Sequence, residues 1–228
     1  MRPAKPLDLQ TVVRTFEAIP ELVTAGAFGG ANALYLEHIE NPFERFSLDI
    51  DLQNQSEEIE SVHHRLSVHK GLRLVSRPSV EMYEYETRVA NRVVRIEIAK
   101  PYLRHRTKYQ PSKHVPGLLV VSLADLAFAK LSAFSTGSFA RDLIDLFAID
   151  RQREIDWLRL LARASRASDN DYNPSQFHQN LQWHRTECGK ASYEHELPVK
   201  KPPTASALRE FVSRLMVVNQ VVARQTLK

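Results

Sequence analysis

Apolar and polar residues alternate differently in the two halves of this chain: short strands and helices are predicted in the first half, helices in the second. Leu9 to Ala18 places Val12, Val13 and Phe16 near the 3.6-residue period, which predicts a short helix ending before Pro20. Leu22 to Phe28 reads as a short buried strand, broken by Gly29 and Gly30 before a helical stretch from Ala31 to His38 with Leu34 inside. From Phe46 to Leu52 the alternation is clean. Phe46, Leu48, Ile50 and Leu52 share one face and Ser47, Asp49 and Asp51 the other, the pattern of a half-buried strand.

Ser56 to His69 is expected to be helical, and Leu72 to Val75 a strand closed off by Pro78. Glu81 to Val89 and Val93 to Ala99 are β-prone runs joined at Ala90, Asn91 and Arg92, which predicts an antiparallel hairpin in a mixed or antiparallel sheet. At Ser122 the character changes. Ser122 with Asp125 three residues on is an N-cap signal, and Leu126, Phe128, Ala129, Leu131 and Phe134 follow. Ser138 to Ile149 and Ile155 to Ala167 continue the helical pattern, a polar stretch from Ser168 to Ser175 interrupts it, and Pro202 and Pro203 precede a last helix from Thr204 to Gln225. The expected fold class is α+β, with the chain divided into residues 1–120 and 121–228.

Composition narrows the field. At 228 residues and 43% hydrophobic, the chain can bury one core or two small ones. A formal net charge of +4 suits a nucleotide or nucleic-acid partner without requiring one. The lone Cys188 excludes an internal disulfide and any Cys/His zinc spacing. His63 and His64, being adjacent, point about 100° apart on a helix and do not chelate one ion. No Ser/His/acid arrangement supports hydrolysis. Neither a secretory leader nor an 18-residue apolar run is present, so a soluble, cytoplasmic protein with no membrane partner is expected.

The chemistry centres on the alternating strand. Aspartate is disfavoured in strands, yet two stand at i and i+2 beside Ser47. Side chains so spaced project in parallel roughly 6.5–7 Å apart at the backbone. Such a pair is either a solvated surface feature or a site where hard divalent cations meet substrate phosphates. Gly29 and Gly30, about twenty residues upstream, are likewise either a tight turn or a place where backbone amides cradle phosphate. In this order, the two features together favour phosphate chemistry.

These segments carry a family resemblance. AFGGANALYLEHI followed by RFSLDIDL resembles the glycine pair and R-x-S-x-D-I-D signature of AbiEii-type nucleotidyltransferase toxins. Downstream, LADLAFAKLSAF and FARDLIDLFAI resemble that family's lysine-bearing helix and its R-D-x-x-D-L segment. The resemblance implies a polymerase-beta-like nucleotidyltransferase core, a small mixed sheet flanked by helices, with a helical C-terminal part. It implies that Gly29, Gly30 and Ser47 contact the triphosphate of an NTP, that Asp49 and Asp51 bind Mg²⁺ or Mn²⁺, and that Lys130 contacts the nucleotide. It also makes Asp142 the downstream acid of the catalytic set.

Several positions keep a second reading. Glu97 is placed to serve as the third metal carboxylate that many enzymes of this fold carry, or it lies on the outer face of an edge strand. Lys130 can equally snorkel from an amphipathic helix, and Asp142, Asp145 and Arg141 can form a surface charge cluster. Arg45 either braces the motif or pairs with an acid. Ala31 and Asn32 depart from the family's usual residues after the glycines.

For the acceptor, residues 100–114 hold five Lys/Arg and no acid, with Tyr102 and Tyr109 interleaved. Arg104, Arg106 and Lys108 are the candidate RNA contacts there, against the alternative of a solvated basic loop. A weaker basic area comprises Lys190, Lys200, Lys201 and Arg209. By analogy with family members, the acceptor is expected to be RNA, such as the 3′ end of a transfer RNA, and the protein a toxin with a cognate antitoxin protein. The rivals are a small-molecule nucleotidyltransferase and a binding protein on an inactivated scaffold.

Overall fold

The computed structural model describes residues 7–45, 47–54, 58–100, 107–137, 139–166, 172–197 and 199–226. The chain forms two compact units, Met1–Glu40 with Phe46–Leu126, and Asn41–Arg45 with Ala127–Lys228.

The first unit is built on a seven-stranded sheet in the order β3-β4-β5-β2-β1-β7-β6. Its strands are β1 (Ala27–Gly29), β2 (Asp49–Gln53), β3 (Leu72–Ser79), β4 (Met82–Val89), β5 (Arg92–Ala99), β6 (Tyr109–Pro111) and β7 (Leu119–Val121). Pairing is parallel between β2 and β5 and between β1 and β7, and antiparallel elsewhere, so the sheet is mixed. Helix α1 (Leu9–Ala18) is capped by Asp8, whose carboxylate accepts from the Thr11 amide at 2.7 Å, and it buries Val12 and Phe16.

The strand expected over Leu22 to Phe28 is instead a helix, α2 (Glu21–Ala25), followed by the three residues of β1. Pro20, with φ −58° and ψ −26°, already holds the helical conformation before the first turn, and Leu22 and Ala25 bury one face at i and i+3. Five residues are too few for periodicity to separate helix from strand. Gly30 opens α3 (Gly30–Ala33), which runs on as a π-helical segment, Leu34–His38.

Helix α4 (Ile59–Ser67) buries Ile59, Val62 and Leu66, and its His63 stacks on Tyr83 with ring centroids 4.3 Å apart. The expected hairpin forms between β4 and β5, and Ala90 and Asn91, at φ 48° and 63°, make its two-residue turn. Pro78 does not end β3. That strand lies at the sheet edge and shifts register twice along its length, which leaves room for a residue without an amide hydrogen.

The second unit is helical. It takes most of α5 (Leu123–Gly137) and all of α6 (Ala140–Gln152), α7 (Trp157–Arg166), α8 (Pro174–Glu187), α9 (Ala191–Glu196) and α10 (Ala205–Thr226). Its core is aromatic: Phe134 meets Phe177 edge-on at 5.6 Å, and Phe211 touches both Phe147 and Trp157. Helix α8 starts at Pro174, inside the expected break, because Asn173 accepts from the amides of Ser175 and Gln176 and Pro174 occupies the first turn. No helix among the described residues is long and apolar enough to cross a membrane.

Candidate active site

Strand β2 alternates as its sequence dictates. Ile50 and Leu52 are buried in the first unit's core, while Asp49 and Asp51 stand half-buried on the opposite face. Leu48, expected inside with them, is 42% exposed: it precedes the strand's first residue, so sheet alternation does not govern it. Phe46 lies outside the described residues.

The neighbouring strands decide what the two aspartates meet. β5 runs parallel to β2 with Asp51 opposite Glu97 and Asp49 opposite Arg95. Because β5 sits between β4 and β2, Glu97 is not on an edge strand. Asp49, Asp51 and Glu97 each offer a carboxylate oxygen, and these oxygens lie within 4.8 Å of one another. All three donors are hard oxygens on one sheet face, the donor set that Mg²⁺ and Mn²⁺ take, so the residues fit such a cation.

On the other side of β2, Gly29 of β1 is the antiparallel partner of Asp51. Gly30 next to it has φ +66°, and a Cβ there would overlap the Asp51 carboxylate. Glycine is therefore required twice over, by the left-handed backbone and by the acid packed against it. Ser47 donates from Oγ to Asp49 Oδ1 at 3.2 Å, which orients that carboxylate. Asn32, buried on α3, donates from Nδ2 to the Asp49 carbonyl at 2.5 Å and ties the turn after the glycines to β2. In the sequence Asn32 stands only as a departure from the family pattern.

A second charged cluster lies within the other unit. Lys130 on α5 reaches Asp142 Oδ1 at 3.0 Å and Asp145 Oδ2 at 2.8 Å, both on α6. Arg45 donates from Nε to Asp145 Oδ1 at 2.9 Å and from Nη2 to Oδ2 at 3.4 Å. Asp142 and Asp145 are buried, so the surface-cluster reading of these acids does not hold. Burial, the largest single influence on Lys130, pulls its pKa down, yet the charges of Asp145 and Asp142 prevail and hold it above the ordinary lysine value. Asp142 Oδ2 is buried without a hydrogen-bond partner among the described residues.

Of the candidate RNA contacts, Arg104 and Arg106 lie outside the described residues, and Lys108 is exposed while its amide donates to Asp125 Oδ2 at 2.8 Å. In the weaker basic area, Lys190 pairs with Glu187 at 2.6 Å, Lys200 and Lys201 both pair with Glu44, and Arg209 donates to the Cys188 carbonyl. Those charges are engaged locally.

A carboxylate trio beside a glycine turn suits divalent cations and phosphate, the chemistry of phosphoryl transfer. The model of one family, the nucleotidyl transferase AbiEii toxin of type IV toxin–antitoxin systems, matches residues 18–214. The chain belongs to that family and is a nucleotidyltransferase. Among solved structures it is similar to JHP933 from Helicobacter pylori, at 17% identity and TM-score 0.45, covering 96% of this chain and 94% of that one. A candidate nucleotidyltransferase from H. pylori matches at 18% identity and TM-score 0.46, over 97% and 99% of the two chains. The CD-NTase CdnG of Bradyrhizobium diazoefficiens, solved with GTP, matches at 12% identity and TM-score 0.32, over 96% and 86%. No curated protein matches the chain.

Proposed function

We propose that this nucleotidyltransferase moves a nucleotide from an NTP to an RNA acceptor in a reaction dependent on Mg²⁺ or Mn²⁺, and that it acts as a toxin restrained by a cognate antitoxin protein. The observation that carries the reading is the convergence of Asp49, Asp51 and Glu97 across β2 and β5, beside the glycine turn that packs on Asp51.

In this reading the three carboxylates hold the cation, and Ser47 keeps Asp49 turned toward it. When bound, the cation neutralises phosphate charge and polarises the bonds at the reacting phosphorus. The amides of Gly29 and Gly30 face the triphosphate, and Lys130 supplies a fixed positive charge for the nucleotide. Asp142, with one oxygen uncommitted among the described residues, accepts a hydrogen bond from the substrate. An acceptor hydroxyl attacks the α-phosphorus, the new oxygen–phosphorus bond forms, the bond to the β-phosphate breaks, and pyrophosphate leaves. Positioning and charge neutralisation supply most of the acceleration in such transfers. The basic residues Arg104, Arg106 and Lys108 favour a phosphate-rich acceptor over a small cationic one.

The test is incubation of the protein with each labelled NTP, Mg²⁺ and total RNA, beside an Asp49→Ala/Asp51→Ala variant. Metal-dependent label in RNA that the variant abolishes is expected. Label that enters only small molecules, or none at all, would refute the RNA reading.

A further inference from the structure

The cluster in the second unit contains one acid that the mechanism above leaves unused. Asp145 has no exposed side-chain surface, and it takes three charge-assisted bonds from two cations, Lys130 and Arg45. Asp142, one turn earlier on α6, shares Lys130 but leaves its second oxygen without a hydrogen-bond partner among the described residues. The two acids therefore divide the work. One is saturated by protein, and the other keeps an acceptor in hand.

The geometry points to Asp145 as a positioning residue for catalysis, one that fixes the Lys130 ammonium so that Lys130 and the buried, unpartnered oxygen of Asp142 present a donor and an acceptor to the nucleotide. The inference rests on the reading of Lys130 and Asp142 as nucleotide contacts. An ammonium has three donors, and here two go to the two aspartates. The third N–H is left over after those two bonds.

The charges facing Lys130 are Asp142 and Asp145 from α6 and Arg45 from the segment Asn41–Arg45, with Arg141 3.9 Å from Asp142. Arg45 opposes the lysine's charge and cannot give up its own proton. Lys130 can. Without Asp145, only Asp142 would offset burial and Arg45, and the lysine would become the group that yields.

Asp145→Asn, close in shape and uncharged, tests this in the full chain. In the wild type, the ¹³Cε resonance of Lys130 is expected to show no titration step below about pH 10, and in Asp145→Asn the step moves down. The ratio of variant to wild-type transfer should then fall as pH rises, by up to about tenfold per pH unit beyond the new step. In Asp145→Asn/Lys130→Arg, whose guanidinium keeps its charge, the ratio should not change with pH. A role in folding alone would lower activity equally at every pH.

A Lys130 step below about pH 10 in the wild type overturns the inference without recourse to any variant, as do coincident titrations in wild type and Asp145→Asn or a ratio flat with pH. If the titrations separate but the wild type transfers no nucleotide, the nucleotidyl-transfer reading fails and the catalytic role of Asp145 with it. If transfer is robust and the titrations coincide, only the role of Asp145 fails.

Discussion

Two groups of charges in this protein are built on opposite principles. On the sheet of the first unit, three acids are gathered on a half-buried face with their oxygens within 4.8 Å of one another, an arrangement whose mutual repulsion a divalent cation relieves. In the second unit two acids and two bases are buried together and neutralise one another through bonds of 2.8–3.0 Å. Like charges brought together indicate a site kept for function at some cost to stability. Opposite charges brought together are locked, because neither sign can be removed without stranding the other.

The largest expected effect tests the locked cluster. Asp145→Ala leaves Arg45 and Lys130 buried around one remaining acid and should lower the unfolding free energy by about 3–5 kcal/mol, measured by denaturant titration. A loss below about 1 kcal/mol would mean that the cluster is not the structural element its burial implies.

Next comes the trio. Glu97→Gln should reduce nucleotide transfer by about 10²–10³-fold while leaving the unfolding transition in place, since it removes one charge from a set of three like charges. If transfer survives within about threefold, Glu97 is not part of the metal set and Asp49 and Asp51 act without it.

Asn32→Ala probes the support beneath the trio. Its amide holds the backbone of Asp49, and loss of such a support should raise the Mg²⁺ concentration for half-maximal activity by about 10–100-fold. Unchanged metal dependence would confine Asn32 to packing of α3.

The smallest effect concerns pH. The Lys130 pKa is raised above its ordinary value of 10.5, so its contribution to stability is fully present below 10.5 and is lost only as pH rises through the folded value. Unfolding free energy should therefore show no lysine-linked decline between about pH 7 and pH 10, whereas a decline in that window would show that Asp145 and Asp142 do not hold the charge.

What the sequence disclosed follows from how local each feature is. Helix α1 is written in Val12, Phe16 and Pro20, and the hairpin in two β-prone runs around Ala90 and Asn91, because both depend on neighbours in the chain. The faces of Asp49 and Asp51 were legible for the same reason: period-two alternation is a property of five consecutive residues. Glu97 was legible as a candidate third carboxylate only through the pattern of the fold, and its register opposite Asp51 was not, since parallel β2–β5 pairing joins strands separated by α4, β3 and β4. Pairing of Arg45 with an acid was one of two readings, but which acid was not legible, since Asp145 is 100 positions away.

Other features do carry local signals. Asn173-Pro174 is a helix start, and the polar stretch around it masked α8. Asn32 looked like an irregularity because its role depends on a carbonyl 17 residues away. The family resemblance, carried by the glycine pair, the aspartate strand and two downstream helices, reached the activity before any of these contacts could be seen.

The central claim, that the acids of β2 and β5 form one metal site, is tested most directly by Mn²⁺ binding, followed by electron paramagnetic resonance on the full chain and on Asp51→Asn/Glu97→Gln. The account predicts that the wild type takes up Mn²⁺ and that the variant, with two of three hard donors neutralised, does not. Equal uptake by both proteins would contradict it.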